Sequence, residues 1–298
     1  MLRIAVAGYG NVGRGAYEAA LAAKDMQVVC VAEAPNVPVP GALAGMWVTR
    51  LKDINKFGGV DAAILALPSR MSADAADELL SMGINTVDAF DAHEEIWATK
   101  CRLDATAKIH GVTAVISAGW DPGTDSVIRA LFEAMAPNGL SYTSFGPGMS
   151  MGHTVIAKTV RGVKNALSMT MPAGAGIHRR MVYVELDEGA ALDAVAAQIK
   201  SDPAFSHDET HVIAVEDVKA LLNVAHGVEI TRAGVSGSTH NQSLAYSMKI
   251  NNPALTGQIL VSAARAAVKG EPGCYTLLEI PIIDLLPGER EELIKRLA

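Results

Sequence analysis

Several features that would define other protein classes are scarce in this chain of 298 residues. Only 5% of the residues are aromatic, and much of the 50% apolar content is alanine, which favours Ala-rich helices. The net charge of −7 argues against non-specific binding to nucleic acid, which needs a basic surplus to neutralise phosphates. No run of about 18 apolar residues predicts a membrane span.

Cysteine is also rare. Cys30, Cys101 and Cys274 are far apart and no CxxC pair occurs, so the sequence indicates neither a disulfide framework nor a thiolate zinc site. The first ten residues, MLRIAVAGYG, lack the longer apolar core of a signal peptide. We therefore expect reduced cysteines in a cytoplasmic protein.

Strand and helix patterns alternate over the first 117 residues. Short apolar runs predict buried strands at LRIAVAG, MQVVCVA, VDAAILALP, INTVDAF and VTAVIS. Helical patterns lie between several of them, at NVGRGAYEAALAA, MSADAADELLSMG and HEEIWATKCRLDATAKIHG. This alternation predicts βαβ units and a Rossmann-type, doubly wound parallel sheet in an α/β protein.

The pattern changes at about residue 118. Longer strands that mix polar and apolar residues follow, at LSYTSFG, ALSMTMPAG, RMVYVEL and VEITRAG, with helices at TDSVIRALFEAMA and AALDAVAAQIK. The remainder predicts a helix (NPALTGQILVSAARAAVKG), a strand (CYTLLEI) and a charged helix. We predict one domain from residues 1–117 and 251–298, and an α+β domain with an open, mainly antiparallel sheet at 118–250.

A G-x-G-x-x-G pattern, Gly8-Tyr9-Gly10-Asn11-Val12-Gly13, directly follows the first strand. Such glycines also occur in ordinary turns, but a preceding strand and a following amphipathic helix are the context of a dinucleotide fingerprint. Gly8 would allow the tight turn, and Gly10 would let a pyrophosphate approach the backbone. Gly13 would let the helix pack closely on the strand. The helix N-terminus would face the phosphates. We therefore predict that residues 1–117 and 251–298 bind a dinucleotide through Gly8, Gly10, Asn11, Val12 and Gly13.

Glu33 ends the second predicted strand, twenty residues after Gly13. An acid at this place hydrogen-bonds the ribose hydroxyls of NAD and repels the 2′-phosphate of NADP, whereas NADP-binding proteins commonly have arginine there. This chain has no arginine between Arg14 and Arg50, and Lys24 is the one cation in that interval. Glu33 therefore favours NAD, with a solvated strand-end glutamate as the alternative.

Acidic residues follow two more predicted strands, at Asp88-Ala89-Phe90-Asp91 and at Trp120-Asp121-Pro122-Gly123. Ligands of open parallel sheets bind beyond the carboxyl ends of the strands, and carboxylates there suit a substrate that is or becomes cationic. A helix cap at Asp91 and ordinary turn chemistry at Asp121 are equally compatible with the sequence.

The segments GYGNVGR, FDAHEE, ISAGWDPGTDS, FGPGMSMGH, HRRMVYVE and INNPALT together resemble meso-diaminopimelate dehydrogenase, over nearly the whole chain. The resemblance implies NADP-dependent oxidative deamination of the D-centre of meso-2,6-diaminopimelate, which yields L-2-amino-6-oxopimelate and ammonia. It also implies the reverse reductive amination. Residues 118–250 are then the substrate-binding and dimerisation domain of a homodimer or higher homo-oligomer.

The resemblance also implies site residues. Those at the D-centre correspond to Asp91, Trp120, Asp121, Met151 and Gly152, the last two contacting a carboxylate through the backbone. Those at the distal L-centre correspond to Thr170, Arg180, His226 and Asn252. Paired carboxylates suit the iminium cation that hydride loss creates, and either acid is a candidate general base through water. Arginine suits bidentate binding of a carboxylate, while a snorkelling arginine and a structural histidine are the alternatives.

Some positions depart from the family pattern. Ala34 and Pro35 stand where members commonly carry an arginine pair for the 2′-phosphate, which again favours NAD. Phe145 replaces the tryptophan of some relatives, so we expect a roomier pocket near the GPG loop. The chain is shorter than the longest members and similar in length to a compact branch with broad tolerance for D-amino acids. We therefore expect 2-oxo acids such as pyruvate to be aminated to D-amino acids.

Two alternatives stay open: a related two-domain reductase, such as one acting on a cyclic imine, and a non-catalytic NAD(H)-binding sensor. The segment His207–His211 (HDETH) does not match the H-E-x-x-H metal motif, and after Asp202-Pro203 it predicts an exposed polar loop. We predict no metal. The expected partners are small molecules: meso-diaminopimelate, 2-oxo acids and ammonia.

Overall fold

The computed structural model describes residues 1–221 and 226–298. Its strands are β1 (Leu2–Ala7), β2 (Met26–Ala32), β3 (Trp47–Val48), β4 (Ala62–Leu65), β5 (Asn85–Asp88), β6 (Thr113–Ile116), β7 (Asn138–Phe145), β8 (Gly148–Met149), β9 (Val163–Gly174), β10 (Ile177–Leu186), β11 (Glu209–Ala214), β12 (His226–Ser236), β13 (Thr239–Ile250) and β14 (Gly273–Thr276). Its α-helices are α1 (Asn11–Ala22), α2 (Ser69–Ser81), α3 (Ile96–His110), α4 (Thr124–Met135), α5 (Met151–Lys158), α6 (Leu192–Ser201), α7 (Asn252–Lys269) and α8 (Arg290–Leu297). None of the helices in these residues is both long and apolar enough to cross a membrane.

The chain divides into two compact units. Unit 1 contains residues 1–130 and 252–298, and unit 2 contains residues 131–251. The domain boundaries predicted from the sequence lie at 117/118 and 250/251, compared with 130/131 and 251/252 for the two units. The binding and dimerisation roles assigned to the domains remain predictions.

The strands of unit 1 form one sheet in the order β3-β2-β1-β4-β5-β6-β14, with parallel neighbours throughout. Successive residues of β1 point to opposite faces, as the pleat requires. Ile4 and Val6 pack in a layer with α1 and α7, whereas Ala5 and Ala7 pack in a layer with α2 and α3. Helices therefore cover both faces, and the predicted doubly wound parallel sheet is confirmed.

Small residues bring α1 and α7 into close contact. A Cβ on Gly257 would lie 2.4 Å from the backbone nitrogen of Ala16, and one on Gly15 would lie 2.7 Å from the carbonyl oxygen of Pro253. The Arg265 guanidinium on α7, almost fully buried, donates to both carboxylate oxygens of Asp25 at 2.6 and 2.8 Å. This packing fixes the helix that follows the glycine-rich turn.

Unit 2 contains two sheets. The first has the order β8-β9-β10-β11, with antiparallel pairs except for parallel β10 and β11. Helices α5 and α6 cover one of its faces around the buried Val182, Val184 and Phe205. The second sheet is antiparallel, in the order β7-β12-β13. The α+β character predicted for this part of the chain is therefore present.

Four details of the prediction are wrong. The single open sheet is two sheets, and β13 was not predicted because polar residues dilute its apolar alternation. Residues 209–211 of the predicted HDETH loop begin β11, which pairs with β10 and places Glu209 3.2 Å from Arg179. The predicted strand CYTLLEI ends at Thr276, because the Thr276 N–H and hydroxyl both donate to the Glu279 carboxylate and start a 3₁₀ turn.

Candidate active site

The turn between β1 and α1 has the geometry that the fingerprint predicts. Gly8 has φ +90°, and a Cβ there would lie 2.4 Å from the carbonyl oxygen of Ala66. A Cβ on Gly13 would lie 1.8 Å from the carbonyl oxygen of Gly8, so both positions require glycine. A Cβ on Gly10 would meet only open space among the described residues. Helix α1 starts at Asn11 and has no acid in its first turn, which leaves its N-terminus open to an anionic group.

Glu33 lies against this turn. The N–H of Tyr9 donates to Oε2 of Glu33 at 2.5 Å, and the N–H of Ala34 donates to Oε1 at 2.7 Å. Each carboxylate oxygen keeps further capacity to accept hydrogen bonds, as from ribose hydroxyls. The Tyr9 ring packs edge-on against the Trp47 ring, with 5.5 Å between the ring centroids. The Arg14 guanidinium lies 5.7 Å from the centroid of the Tyr9 ring. The residues present thus fit a dinucleotide.

The loop after β5 carries one buried and one exposed acid. Oδ1 of Asp88 accepts the N–H groups of Phe90 (2.9 Å) and Ser117 (3.3 Å), and complete burial raises the pKa of Asp88 to about 6. Asp91 is exposed: its Oδ1 accepts the Ser69 hydroxyl at 2.5 Å and its N–H donates to the same hydroxyl at 3.1 Å. Asp88 therefore shapes the loop, while Asp91 presents a carboxylate to solvent.

The loop 119–125 follows β6 and is tightly folded. Gly123 has φ +147°, and a Cβ there would lie 2.0 Å from the carbonyl oxygen of Gly119. The N–H groups of Thr124 and Asp125 donate to the carbonyls of Gly119 (3.1 Å) and Trp120 (3.0 Å). Trp120 is buried at 6% exposure. This backbone holds the neighbouring Asp121 in a defined place beyond the end of β6.

Two residues that the sequence reasoning missed surround Asp121. Arg129 on α4 donates to Oδ2 of Asp125 at 2.7 Å and to Oδ1 of Asp121 at 3.4 Å. Asp125 is fully buried, and burial together with the adjacent Asp121 raises the pKa of Asp125. The spacing of four between Asp125 and Arg129 after WDPG was the available sequence signal.

Thr170 and Arg180 are brought together in unit 2. They are directly opposite each other in β9 and β10, and Nη1 of Arg180 donates to the Thr170 hydroxyl. The Nε of Arg180 donates to Oδ2 of Asp208 at 2.6 Å. Asp208, predicted to belong to an exposed polar loop, is instead partly buried, because it anchors this guanidinium. The sequence reasoning missed this role.

Phe145 and His226 lie near the same strand pair. Gly148 is opposite Thr170 in β8 and β9, and a Cβ on Gly148 would lie 1.9 Å from Nδ1 of His226, so the imidazole packs on this glycine. The N–H of Phe145 donates to Nε2 of His178 at 2.7 Å, and the two rings stack at 5.9 Å. Residues next to the loop Gly146-Pro147-Gly148 therefore form a cluster with Thr170 and Arg180. We call this group, with Phe145 and His226, the cluster around Thr170.

Helix α5 starts at Met151, whose side chain lies outside the described residues, and continues through the exposed Gly152. His153 fixes this start: Nε2 bonds the carbonyl of Ala204 at 2.9 Å, and Nδ1 bonds the Ser150 hydroxyl at 2.8 Å. Burial lowers the pKa of His153, so the neutral ring donates from Nε2 and accepts at Nδ1.

Asn252 belongs to unit 1, where its Oδ1 accepts the hydroxyl of Thr256 at 3.1 Å. It is the first residue of α7. Most of the predicted site residues thus fall into three places: the glycine turn with Glu33, the loops that carry Asp91 and Asp121, and the cluster around Thr170. Met151 and Gly152 at the start of α5, and Asn252 at the start of α7, lie apart from these.

A glycine fingerprint on a doubly wound sheet, with carboxylates beyond the strand ends, defines an NAD(P)-dependent dehydrogenase. Residues 119–179 match the family model described as diaminopimelic acid dehydrogenase C-terminal domain. The meso-diaminopimelate D-dehydrogenase of Bacteroides fragilis is 54% identical over 296 residues, which cover 99% of each chain. That of Lysinibacillus sphaericus is 33% identical over 322 residues, with 99% of each chain covered. The chain therefore belongs to the meso-diaminopimelate dehydrogenase family.

The solved structures agree. A mutant of the Clostridium tetani meso-diaminopimelate dehydrogenase, crystallised with diaminopimelate, superposes with a TM-score of 0.89 at 28% identity, with 100% of both chains covered. The predicted family and the predicted class, an NAD(P)-dependent amino acid dehydrogenase, are confirmed. The family membership therefore favours the dehydrogenase over the two alternatives, a non-catalytic sensor and a cyclic-imine reductase.

Proposed function

We propose that this enzyme oxidatively deaminates the D-centre of meso-2,6-diaminopimelate to L-2-amino-6-oxopimelate and ammonia, and that it also catalyses the reverse reductive amination. The observation that carries the proposal is full-length similarity at 54% identity to a meso-diaminopimelate D-dehydrogenase. The chemistry of the assigned residues supports it further, because the carboxylates of Asp91 and Asp121 suit an amino group and the guanidinium of Arg180 suits a carboxylate.

The two carboxylates act on the reacting amino group. Asp91 and Asp121 receive the substrate ammonium, and one of them takes the proton that the ammonium must lose before hydride can leave the carbon. The two acids then stabilise the iminium cation that forms at the same carbon. Bound NAD(P) supplies the hydride acceptor. One of the two acids then activates the water that hydrolyses the iminium. The short bond from Ser69 to Asp91 and the contact of Arg129 with Asp121 support fixed orientations for both.

The opposite end of the substrate is recognised by the cluster around Thr170, together with Asn252. Arg180 donates from Nε to Asp208 and from Nη1 to Thr170. The remaining N–H groups are on Nη1 and Nη2, so a distal carboxylate binds along the edge between these two nitrogens. His226 adds a hydrogen bond to the distal amino acid group. Met151 and Gly152 contact the carboxylate next to the reacting carbon through the backbone. The resemblance also assigns Trp120 and Phe145 to substrate binding.

We further propose that the enzyme prefers NAD to NADP. Glu33 is the supporting residue, because its carboxylate is held against the glycine turn by two backbone N–H groups. A 2′-phosphate at this place would meet a negative charge, and Ala34 and Pro35 offer no cation to offset it. The family resemblance alone would suggest NADP.

The quaternary state and compartment complete the proposal. We expect a homodimer or larger homo-oligomer formed through the sheets of unit 2, where Leu140 and Tyr142 of β7 are exposed, and size-exclusion chromatography with light scattering tests this. The free thiols at Cys30, Cys101 and Cys274 support a reducing, cytoplasmic location.

Initial rates test the main proposal. With meso-diaminopimelate at mildly alkaline pH, NAD and NADP are compared at equal concentration, and reduced nicotinamide is followed by absorbance. Strong turnover with NAD and weak turnover with NADP is expected. LL-diaminopimelate, which has no D-centre, is the matched control and is expected to give none. Turnover of LL-diaminopimelate, or no turnover of the meso isomer with either cofactor, would contradict the proposed reaction. A preference for NADP would contradict only the role of Glu33.

A further inference from the structure

Three charged side chains form a cluster where the loop 119–125 enters α4. Asp121 is proposed above to contact the substrate, and its side chain is 17% exposed. Asp125 lies four residues further along, in the first turn of α4, and is completely buried. Arg129 spans the two acids, 2.7 Å from Oδ2 of Asp125 and 3.4 Å from Oδ1 of Asp121. A single cation therefore faces two carboxyl groups.

The hydrogen bonds of Asp125 are incomplete unless it carries a proton. Its Oδ2 accepts from Arg129, but its buried Oδ1 has no donor among the described residues. The guanidinium of Arg129 donates to both Asp121 and Asp125, and the Asp121 carboxyl is the acidic neighbour of Asp125. A hydrogen bond between two carboxyl groups requires one proton. A buried carboxylate oxygen left without a hydrogen-bond donor would destabilise the folded chain, because it has lost its hydration without replacement.

The charge balance leads to the same conclusion. If both acids were ionised, Arg129 would leave one negative charge uncompensated beside a completely buried carboxyl. One shared proton makes the cluster neutral. Burial and the negative charge of Asp121 raise the pKa of Asp125 to about 7, and Arg129 opposes this shift. In the described part of the chain, these are the charged groups that act on Asp125.

We propose that Asp125 is a positioning residue for Asp121, that the two carboxyl groups share one proton, and that Arg129 neutralises the remaining charge. This inference rests on the proposed function of Asp121. Donation by Asp125 orients the Asp121 carboxylate, and the negative charge that receives the substrate ammonium stays on Asp121. Loss of the shared proton at higher pH places a second negative charge beside the ammonium and changes how Asp121 is held.

The pH profile of kcat/KM between about pH 6 and 9 separates a positioning role from a structural one. Asp125→Asn keeps a donor for Asp121 and an acceptor for Arg129 but cannot ionise. We expect this variant to stay within about threefold of wild type at pH 6 to 7 and to lose the inflection near neutrality. Asp125→Leu removes the donor, and we expect kcat/KM to fall by about 10- to 100-fold, mainly through kcat. Glu133→Gln, an exposed charge removal on the same helix, should reproduce the wild-type profile.

Carbon-13 NMR of the aspartate carboxyl groups tests the shared proton without turnover. A resonance that titrates near neutral pH, and that is absent from Asp125→Asn, is expected in the folded enzyme without substrate. An enzyme that turns over but lacks this resonance, or an Asn variant that keeps the wild-type inflection, would overturn the inference and leave the proposed function intact. An enzyme that shows the resonance but does not turn over meso-diaminopimelate would overturn the proposed function instead.

Discussion

Glu33→Gln is the most direct perturbation of cofactor choice. The substitution keeps the length of the side chain and one carbonyl oxygen, but it removes the negative charge beside the glycine turn. The wild-type carboxylate is fixed by the N–H groups of Tyr9 and Ala34 at 2.5 and 2.7 Å, so its position relative to the turn is defined. We expect the variant to lose much of its preference for NAD.

The magnitude follows from Coulomb's law. A 2′-phosphate with about two negative charges, roughly 5 Å from the carboxylate, is repelled by about 1.7 kcal/mol at the permittivity of water and by several kcal/mol at the lower permittivity near a protein. Glu33 is half-buried, so about 1.7 kcal/mol is a minimum, equal to about 15-fold in relative kcat/KM. The amide oxygen of Gln is also a weaker hydrogen-bond acceptor for the ribose than the carboxylate. This weakens NAD binding by about 1 kcal/mol, which is roughly fivefold in kcat/KM.

The assay measures kcat/KM for NAD and for NADP at saturating meso-diaminopimelate, and the quantity compared between variants is the ratio of the first to the second. Glu33→Gln is expected to lower this ratio by about 15- to 100-fold. Adding Ala34→Arg supplies a cation for the phosphate and should lower it further. Glu78→Gln removes the same charge from an exposed position of α2 and should leave the ratio unchanged. A ratio within about twofold of wild type in Glu33→Gln would refute the reasoning.

Other predictions concern the turn, a buried acid and the distal cluster. Gly13→Ala places a methyl group 1.8 Å from Gly8 and should lower the melting temperature, whereas Gly10→Ala should leave it unchanged and weaken NADH binding in a fluorescence titration. The pKa of Asp88 is raised to about 6, so the unfolded chain ionises first and stability falls as pH rises. Asp88→Asn should therefore be more stable than wild type by about 3 kcal/mol above about pH 6, with the gain absent near pH 4 in thermal denaturation. A gain independent of pH would contradict this. Arg180→Gln should raise the KM for meso-diaminopimelate by about 10- to 100-fold, and an equal rise for NAD would point to general disruption instead.

The parallel half of the fold was predictable because its strands are buried on both faces. Continuous apolar runs such as LRIAVA, separated by helical patterns, have few alternative structures. The second half was less predictable because its strands have solvent on one side and polar residues at many positions. β11 illustrates this: ETHVIA begins with polar residues, and it forms a strand through its pairing with β10. Such pairing is a tertiary effect that local sequence does not carry.

The candidate site shows the same division. The glycine positions follow from backbone geometry, and the structure requires glycine at Gly8 and Gly13. The family resemblance assigned Thr170 and Arg180 to the same end of the substrate but not to a pair, and only the register of β9 and β10 places them directly opposite each other. Asp208 could not be assigned to Arg180, because 28 residues separate them and only the β10–β11 pairing brings them close. The catalytic and binding roles stay predictions.

The return of α7 and β14 to unit 1 has a consequence for biosynthesis. Residues 252–298 leave the ribosome after all of unit 2, yet α7 covers Gly15 and Ala16 on the helix that opens at the fingerprint. A nascent chain that has emerged only to β13 thus holds an unsupported α1 and an unpaired β6 edge. The complete sheet and the α1–α7 pair of unit 1 can therefore form only after unit 2 has been synthesised, and a message truncated before α7 yields a chain without either support.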